Sequence, residues 1–180
     1  MVYLFVALLG AAVIAADQWV KYWAVISFAA PFAGMTVTSD PPRAFLPGVA
    51  ELIRVHNYGA AWSSFAGQKW LLLALTGVIV VAVLVLIARR TVRHPLGLTA
   101  GALIVAGGLG NIIDRVRQGY VVDMIHLQFW PDYPVFNVAD IAIVCGAILG
   151  VIYYLWVYDK YDKPVKKDEN HGETDTPAGA

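Results

Sequence analysis

The 180-residue chain is short of charge and short of cysteine. Charged residues make up 14% of it, against about 25% in an ordinary soluble domain. Its 13 basic and 13 acidic residues cancel, so it lacks the basic excess that nucleic-acid binding requires. A single cysteine, Cys145, excludes an internal disulfide framework and a multi-cysteine metal site. Lying in the middle of an apolar run, Cys145 is expected to pack as a small residue and not to act as a nucleophile. No HExxH or comparable spacing is present. His126 is the nearest nitrogen to the clustered carboxylates, and neither a metal nor a cofactor is expected.

Apolar residues are abundant instead: 59% of the chain is hydrophobic. Four runs are long enough to cross a bilayer, which takes about 20 helical residues. They lie at Val2 to Ile26, Trp70 to Ala88, Leu96 to Ile113 and Phe136 to Tyr158. The first carries Asp17 and Lys21, the second no charge, the third many glycines, and the fourth only Asp140 near its start. The pattern predicts an all-α membrane protein with four transmembrane helices. The first run is expected to be a retained span, since no Lys or Arg precedes it as a cleavable signal peptide would require.

Basic residues set the orientation. RRTVRHP follows the second run, and Lys160, Lys163, Lys166 and Lys167 follow the fourth. Both stretches are expected in the cytoplasm, with both termini inside. Residues 27–69 and 114–135 then lie outside, the former as short strands resting on the membrane. The expected organisation is a membrane domain over residues 1–159 and a polar, disordered cytoplasmic tail over 160–180. GLTAG (Gly97 to Gly101) and GAILG (Gly146 to Gly150) are close-packing patterns of membrane helices and carry little functional weight.

Placed on this frame, the polar residues gather at the outer face. Asp17 and Lys21 are four apart and share a helix face. Asn111, Asp114 and Arg115 share one at the outer end of the third span. Asn137 and Asp140 open the fourth, and Asp123 lies in the connection before it. Buried ionised carboxylates are costly, so such residues mark function in membranes. Two carboxylates in one site cannot both ionise easily, which allows one to act as acid and the other as base. A peptidase, a proton or ion path, and a purely structural polar cluster all fit this spacing.

Four blocks carry a resemblance. ADQWVKYW from Ala16, NYGAAWS from Asn57, GGLGNIIDRVRQGYVVDMI from Gly107 and FNVADIAI from Phe136 resemble lipoprotein signal peptidase, or signal peptidase II, in that family's order. Together they cover nearly the whole chain from the first span to the fourth. The resemblance implies a polytopic aspartic peptidase of the bacterial cytoplasmic (inner) membrane, with a small periplasmic sheet and its site near the outer leaflet. It implies removal of the signal peptide from diacylglyceryl-modified prolipoproteins, just before the lipidated cysteine, by a single chain working with membrane lipid around it. The catalytic pair it implies is Asp123 and Asp140. Asn57, Asn111 and Arg115 are implied as substrate-backbone binders. Asp114, beside Arg115, would be an ionised strut, whereas Asp123 has no basic neighbour in sequence. Asn137 and Ala139 would flank Asp140, with Ala139 small so as not to crowd the pair. Asp17 and Lys21 would give support, although a lysine near a helix end usually snorkels to the headgroups. Trp62 and Met124 stand where the family commonly has phenylalanine. His56 is expected as an exposed loop residue.

Overall fold

The computed structural model describes residues 1–163. Four long helices dominate it: α1 (Val2–Ser27), α2 (Lys69–Ala88), α3 (Pro95–Gln118) and α4 (Val138–Trp156). All four are long and apolar enough to cross a membrane. Hydrocarbon offers no partner to a peptide group, so a spanning segment must satisfy its backbone internally, and the helix does so within one segment.

α3 is central and packs against α1, α2 and α4. Its contact with α4 depends on missing side chains. A Cβ on Gly146 of α4 would come within 2.8 Å of the Ala100 carbonyl oxygen, and one on Gly107 of α3 would run into the Ala139 carbonyl and Ile143. The helices therefore touch backbone to backbone, which is how membrane helices gain dispersion contact without a hydrophobic driving force.

The segments between α1 and α2 and between α3 and α4 build a three-stranded antiparallel sheet in the order β1 (Arg43–Leu46), β2 (Ala50–Asn57), β3 (Val121–Leu127). The expected strands of residues 27–69 are there, but the third strand comes from the connection between α3 and α4. α3 also runs past the apolar stretch to Gln118, so Asp114 and Arg115 are helical residues. Gly119 ends the helix at φ 89°, and its N–H bonds back to the Arg115 carbonyl at 3.1 Å. That left-handed turn suits glycine, which has no Cβ to clash. Two residues later the chain is in β3, and this short reversal delivers Asp123 back towards the helix ends.

The sheet is tied to α1. Arg54 Nη1 donates to the Val25 and Phe28 carbonyls at 3.1 Å each, satisfying helix-end oxygens that have no intrahelical donor. Arg54 Nε donates to His56 Nε2 at 3.1 Å, and the His56 ring stacks on Tyr120 with centroids 3.9 Å apart. His56 is thus a buried strand residue, not an exposed loop residue. Burial, and then the Arg54 charge, push its imidazole down to about 4, so it stays neutral and accepts.

At the opposite end, the first residues of the expected tail are ordered. A short helix α5 (Tyr158–Tyr161) leads to Asp162, which is buried. Asp162 Oδ2 accepts from the Arg93 and His94 backbone N–H groups at 3.0 Å each and from Tyr153 Oη at 2.6 Å. The rest of the expected tail, residues 164–180, lies outside the described residues.

Candidate active site

Four aspartates converge where α1, α3 and α4 meet the sheet, and they fall into two pairs. Asp17 (α1) and Asp114 (α3) belong to a cation. Lys21 Nζ lies 2.8 Å from Asp17 Oδ2 and 3.1 Å from Asp114 Oδ2, and the lysine is 3% exposed. Far from snorkelling to the headgroups, Lys21 is buried between two carboxylates. The same pair also does structural work. Asp17 Oδ1 accepts the Ala139 N–H at 2.9 Å, satisfying an orphan donor in the first turn of α4 from another helix. Asp114 Oδ2 accepts the Val122 N–H at 3.1 Å, pinning the start of β3 to α3.

Asp123 (β3) and Asp140 (α4) are held by amides alone. Asn57 Nδ2 donates to Asp123 Oδ2 at 2.9 Å and Asn137 Nδ2 to Asp123 Oδ1 at 2.6 Å. Asn111 Nδ2 donates to Asp140 Oδ1 at 2.8 Å and the Asn137 N–H to Asp140 Oδ2 at 3.2 Å. Asn137 also caps α4, its Oδ1 accepting the Asp140 N–H at 2.9 Å, so the two residues form a reciprocal capping box. Neither Asp123 nor Asp140 is ion-paired among the described residues. Burial, reinforced by the charge of Asp140, raises the Asp123 carboxyl from 3.8 to about 7, against the opposing pull of its Asn57 and Asn137 hydrogen bonds.

Both carboxylates line one cleft of about 310 Å³, together with Asn57, Asn111 and Arg115. Its other walls are largely apolar: Leu72 and Thr76 on α2, Ile143 and Val144 on α4, and the Tyr133–Phe136 segment before α4. Arg115 Nη2 donates to the Gly59 carbonyl at 2.7 Å, while its buried Nε has no partner among the described residues. This bond anchors the loop after β2, in which Trp62, Ser63 and Phe65 all adopt positive φ. Each such residue costs about 1–2 kcal/mol, so the loop needs the anchor. Among the described residues no group of three His, Cys, Asp or Glu side chains is placed to hold a metal.

A family model described as Signal peptidase (SPase) II matches residues 9–156. The chain belongs to the signal peptidase II family. A lipoprotein signal peptidase of Lactococcus lactis subsp. cremoris (strain MG1363) is 39% identical over 152 residues, covering 83% of this chain and 91% of that protein. One of Enterococcus faecalis (strain ATCC 700802 / V583) is 32% identical over 166 residues, covering 91% and 94%. A bacterial membrane enzyme structure determined by the in meso method at 2.3 Å resolution matches with a TM-score of 0.73 at 30% identity, over 90% of this chain and 94% of that one. The protein is therefore a multi-pass membrane peptidase of the signal peptidase II family.

Within this family member, the ten residues named from the sequence as catalytic, substrate-binding or supporting lie in or against the cluster, whereas His126 pairs with Glu51 and Cys145 is exposed on α4. Two placements differ from expectation. Asp114 is partnered by Lys21 of α1, not by its neighbour Arg115. Ala139 is small because it faces α3: a Cβ on Gly110 would sit 3.2 Å from the Ala139 Cβ and 2.6 Å from Asp17 Oδ2. Sequence reasoning missed Gln18, whose Nε2 lies 3.2 Å from Asp17 Oδ2, 3.1 Å from Asp114 Oδ1 and 3.3 Å from the Gly110 carbonyl. A polar amide between Asp17 and Lys21 on a lipid-spanning run was the available signal. It also missed Gly59, which is marked only by its place in NYGAAWS.

Proposed function

We propose that the chain is an aspartic endopeptidase that removes the signal peptide from diacylglyceryl-modified prolipoproteins, cutting just before the lipidated cysteine. The observation that carries this reading is the partition of the four aspartates. Lys21 claims Asp17 and Asp114, so Asp123 and Asp140 are left facing one cleft with no ion-pair partner among the described residues, the Arg115 guanidinium in the same cleft being bonded to the Gly59 carbonyl instead. Two such carboxyls relieve their repulsion by sharing a proton. The ionised member takes a proton from water, and the resulting hydroxide attacks the scissile carbonyl carbon. The protonated member gives its proton to the carbonyl oxygen. When the tetrahedral intermediate collapses, the C–N bond breaks and the amine of the lipidated cysteine leaves with a proton from the pair. Water is the only co-reactant.

The supporting residues have matching roles. Asn57, Asn111 and Asn137 hold the carboxylates by their oxygens. The unpartnered Arg115 Nε is a donor for a substrate carbonyl. Apolar walls from α2 and α4 suit the substrate's acyl chains and its hydrophobic signal segment. The cleft sits near the outer leaflet of the cytoplasmic (inner) membrane, with both termini inside, because Arg89, Arg90 and Arg93 mark the opposite end of the bundle as cytoplasmic. One chain supplies the whole cleft, so a monomer suffices.

A gel-shift cleavage assay in detergent tests this, using a prolipoprotein with and without diacylglyceryl on its cysteine and a chelator control. Chelator-resistant cleavage of the lipidated form alone is expected. Asp123→Asn and Asp140→Asn should each abolish it while the protein stays inserted. Normal turnover by either variant refutes the pair.

A further inference from the structure

Asn111 and Asn137 each present an oxygen on one side and an NH₂ on the other. A carboxamide flipped by half a turn would present its oxygen to an aspartate, and two acceptors would then face each other without a proton. Something must fix which way these amides point. Lys21 can do so because an ammonium group only donates. Its three partners are Asp17 Oδ2, Asp114 Oδ2 and Asn111 Oδ1, the last at 3.0 Å. With its oxygen held by Lys21, Asn111 must turn Nδ2 to Asp140 Oδ1 at 2.8 Å. Asn111 Oδ1 also accepts Asn137 Nδ2 at 3.1 Å, and Asn137 Nδ2 also donates to Asp123 Oδ1 at 2.6 Å. Asn137 is already oriented by its cap on α4, where its Oδ1 accepts the Asp140 N–H, so Asn111 is the carboxamide whose direction depends on the cation.

We infer that Lys21 is a positioning residue for the reaction: by holding Asn111 Oδ1 it sets that carboxamide so that its N–H group faces Asp140. This rests on the aspartate pair proposed above. Lys21 itself does not line the cleft. It reaches the network from the α1 side, where a smaller recess is lined by Gln18, Lys21, Tyr22 and Asp114. Its route to the pair is through Asn111. The two buried carboxylates beside it pair with its ammonium and hold it within reach of a single amide oxygen.

The test is a kinetic cycle on the full chain in detergent with a lipidated prolipoprotein substrate: wild type, Lys21→Met, Asn111→Ala and the double variant. Lys21→Met should lower kcat by about 100-fold, the scale of a small misplacement of catalytic groups, with KM close to wild type. The double variant should be no slower than Asn111→Ala alone, since residues acting through one contact are not additive. Unchanged kcat in Lys21→Met, a loss confined to KM, or losses that multiply in the double variant would each overturn the inference. If Lys21→Met leaves too little folded protein, Lys21→Met with Asp114→Asn removes one cation and one carboxylate together and takes its place in the cycle. Asp123→Asn and Asp140→Asn run alongside. If they cleave, the aspartate pair itself falls; if they are inactive while Lys21→Met is unimpaired, only the role of Lys21 falls.

Discussion

Asp123 should weaken the fold at the pH where the pair would work, and replacing it should reveal this. Its carboxyl is 1% exposed and is raised from 3.8 to about 7, first by burial and then by Asp140. Below about 4 the group is protonated in both the folded and unfolded chain. Between there and about 7 the folded chain holds a proton that the unfolded chain has released, so stability falls as pH rises through this window. A shift of about three units at 1.36 kcal/mol each amounts to a loss on the order of 4 kcal/mol above pH 7. Asp123→Asn removes that loss, because an amide does not titrate. It adds a loss of its own: Asp123 accepts from both Asn57 and Asn137, and an asparagine has one oxygen to offer them. One buried donor is left unmatched, at about 1–3 kcal/mol.

The two terms give opposite outcomes at the ends of the range. At pH 8 the variant should be the more stable protein, by roughly 1–3 kcal/mol, the balance of these two terms. At pH 4 the wild type should be at least as stable, since only about 0.6 kcal/mol of its loss has developed there. Thermal unfolding of both proteins in the same detergent across this range measures the difference, and comparison at each pH cancels the titrating groups that are not coupled to Asp123, Asp140 being the coupled one. A difference that does not change with pH, or one that favours the wild type at pH 8, would refute the raised carboxyl and the reasoning built on it.

Two further outcomes are expected. Gly110→Ala should destabilise by about 1–3 kcal/mol, as overpacking does, because its Cβ would sit 2.6 Å from Asp17 Oδ2 and would press that carboxylate off the Ala139 N–H; thermal unfolding would show it. Asp162→Ala, at the far end of the bundle, should cost about 1–3 kcal/mol for the unmatched Tyr153 hydroxyl and backbone donors and leave the cleavage rate of folded enzyme unchanged. In wild type, hydrogen bonds from Tyr153, the Arg93 and His94 backbone and the Arg93 side chain outweigh burial and hold Asp162 at about 2. The cost should therefore be fully present above pH 4 and shrink as pH falls towards 2.

The four spans were legible because lipid leaves an apolar run little choice but a helix. What was not legible depended on direction and distance. Asp114–Gln118 end the apolar stretch but not the helix, whose end is set by Gly119, so hydropathy alone stopped α3 a turn early. β3 is seven residues with a carboxylate and a histidine in it, and its partner lies in β2 across two helices, so nothing local announced a strand. Arg54 and His56 share one face of β2 because they are two apart, and that face turns inward, which a loop reading of His56 could not capture. The assignment of Arg115 to Asp114 shows the physics most directly. Adjacent residues on a helix point about 100° apart and do not face each other. Asp114 turns to Lys21 on α1, and Arg115 turns to the cleft and to Gly59. The cluster holds four aspartates and one buried lysine. An ammonium has three protons to donate, and here two go to carboxylates and one to an amide. Asp123 and Asp140 are therefore left without an ion pair, since the buried Arg115 beside them donates to the Gly59 carbonyl instead, and a shared proton would relieve the repulsion between them.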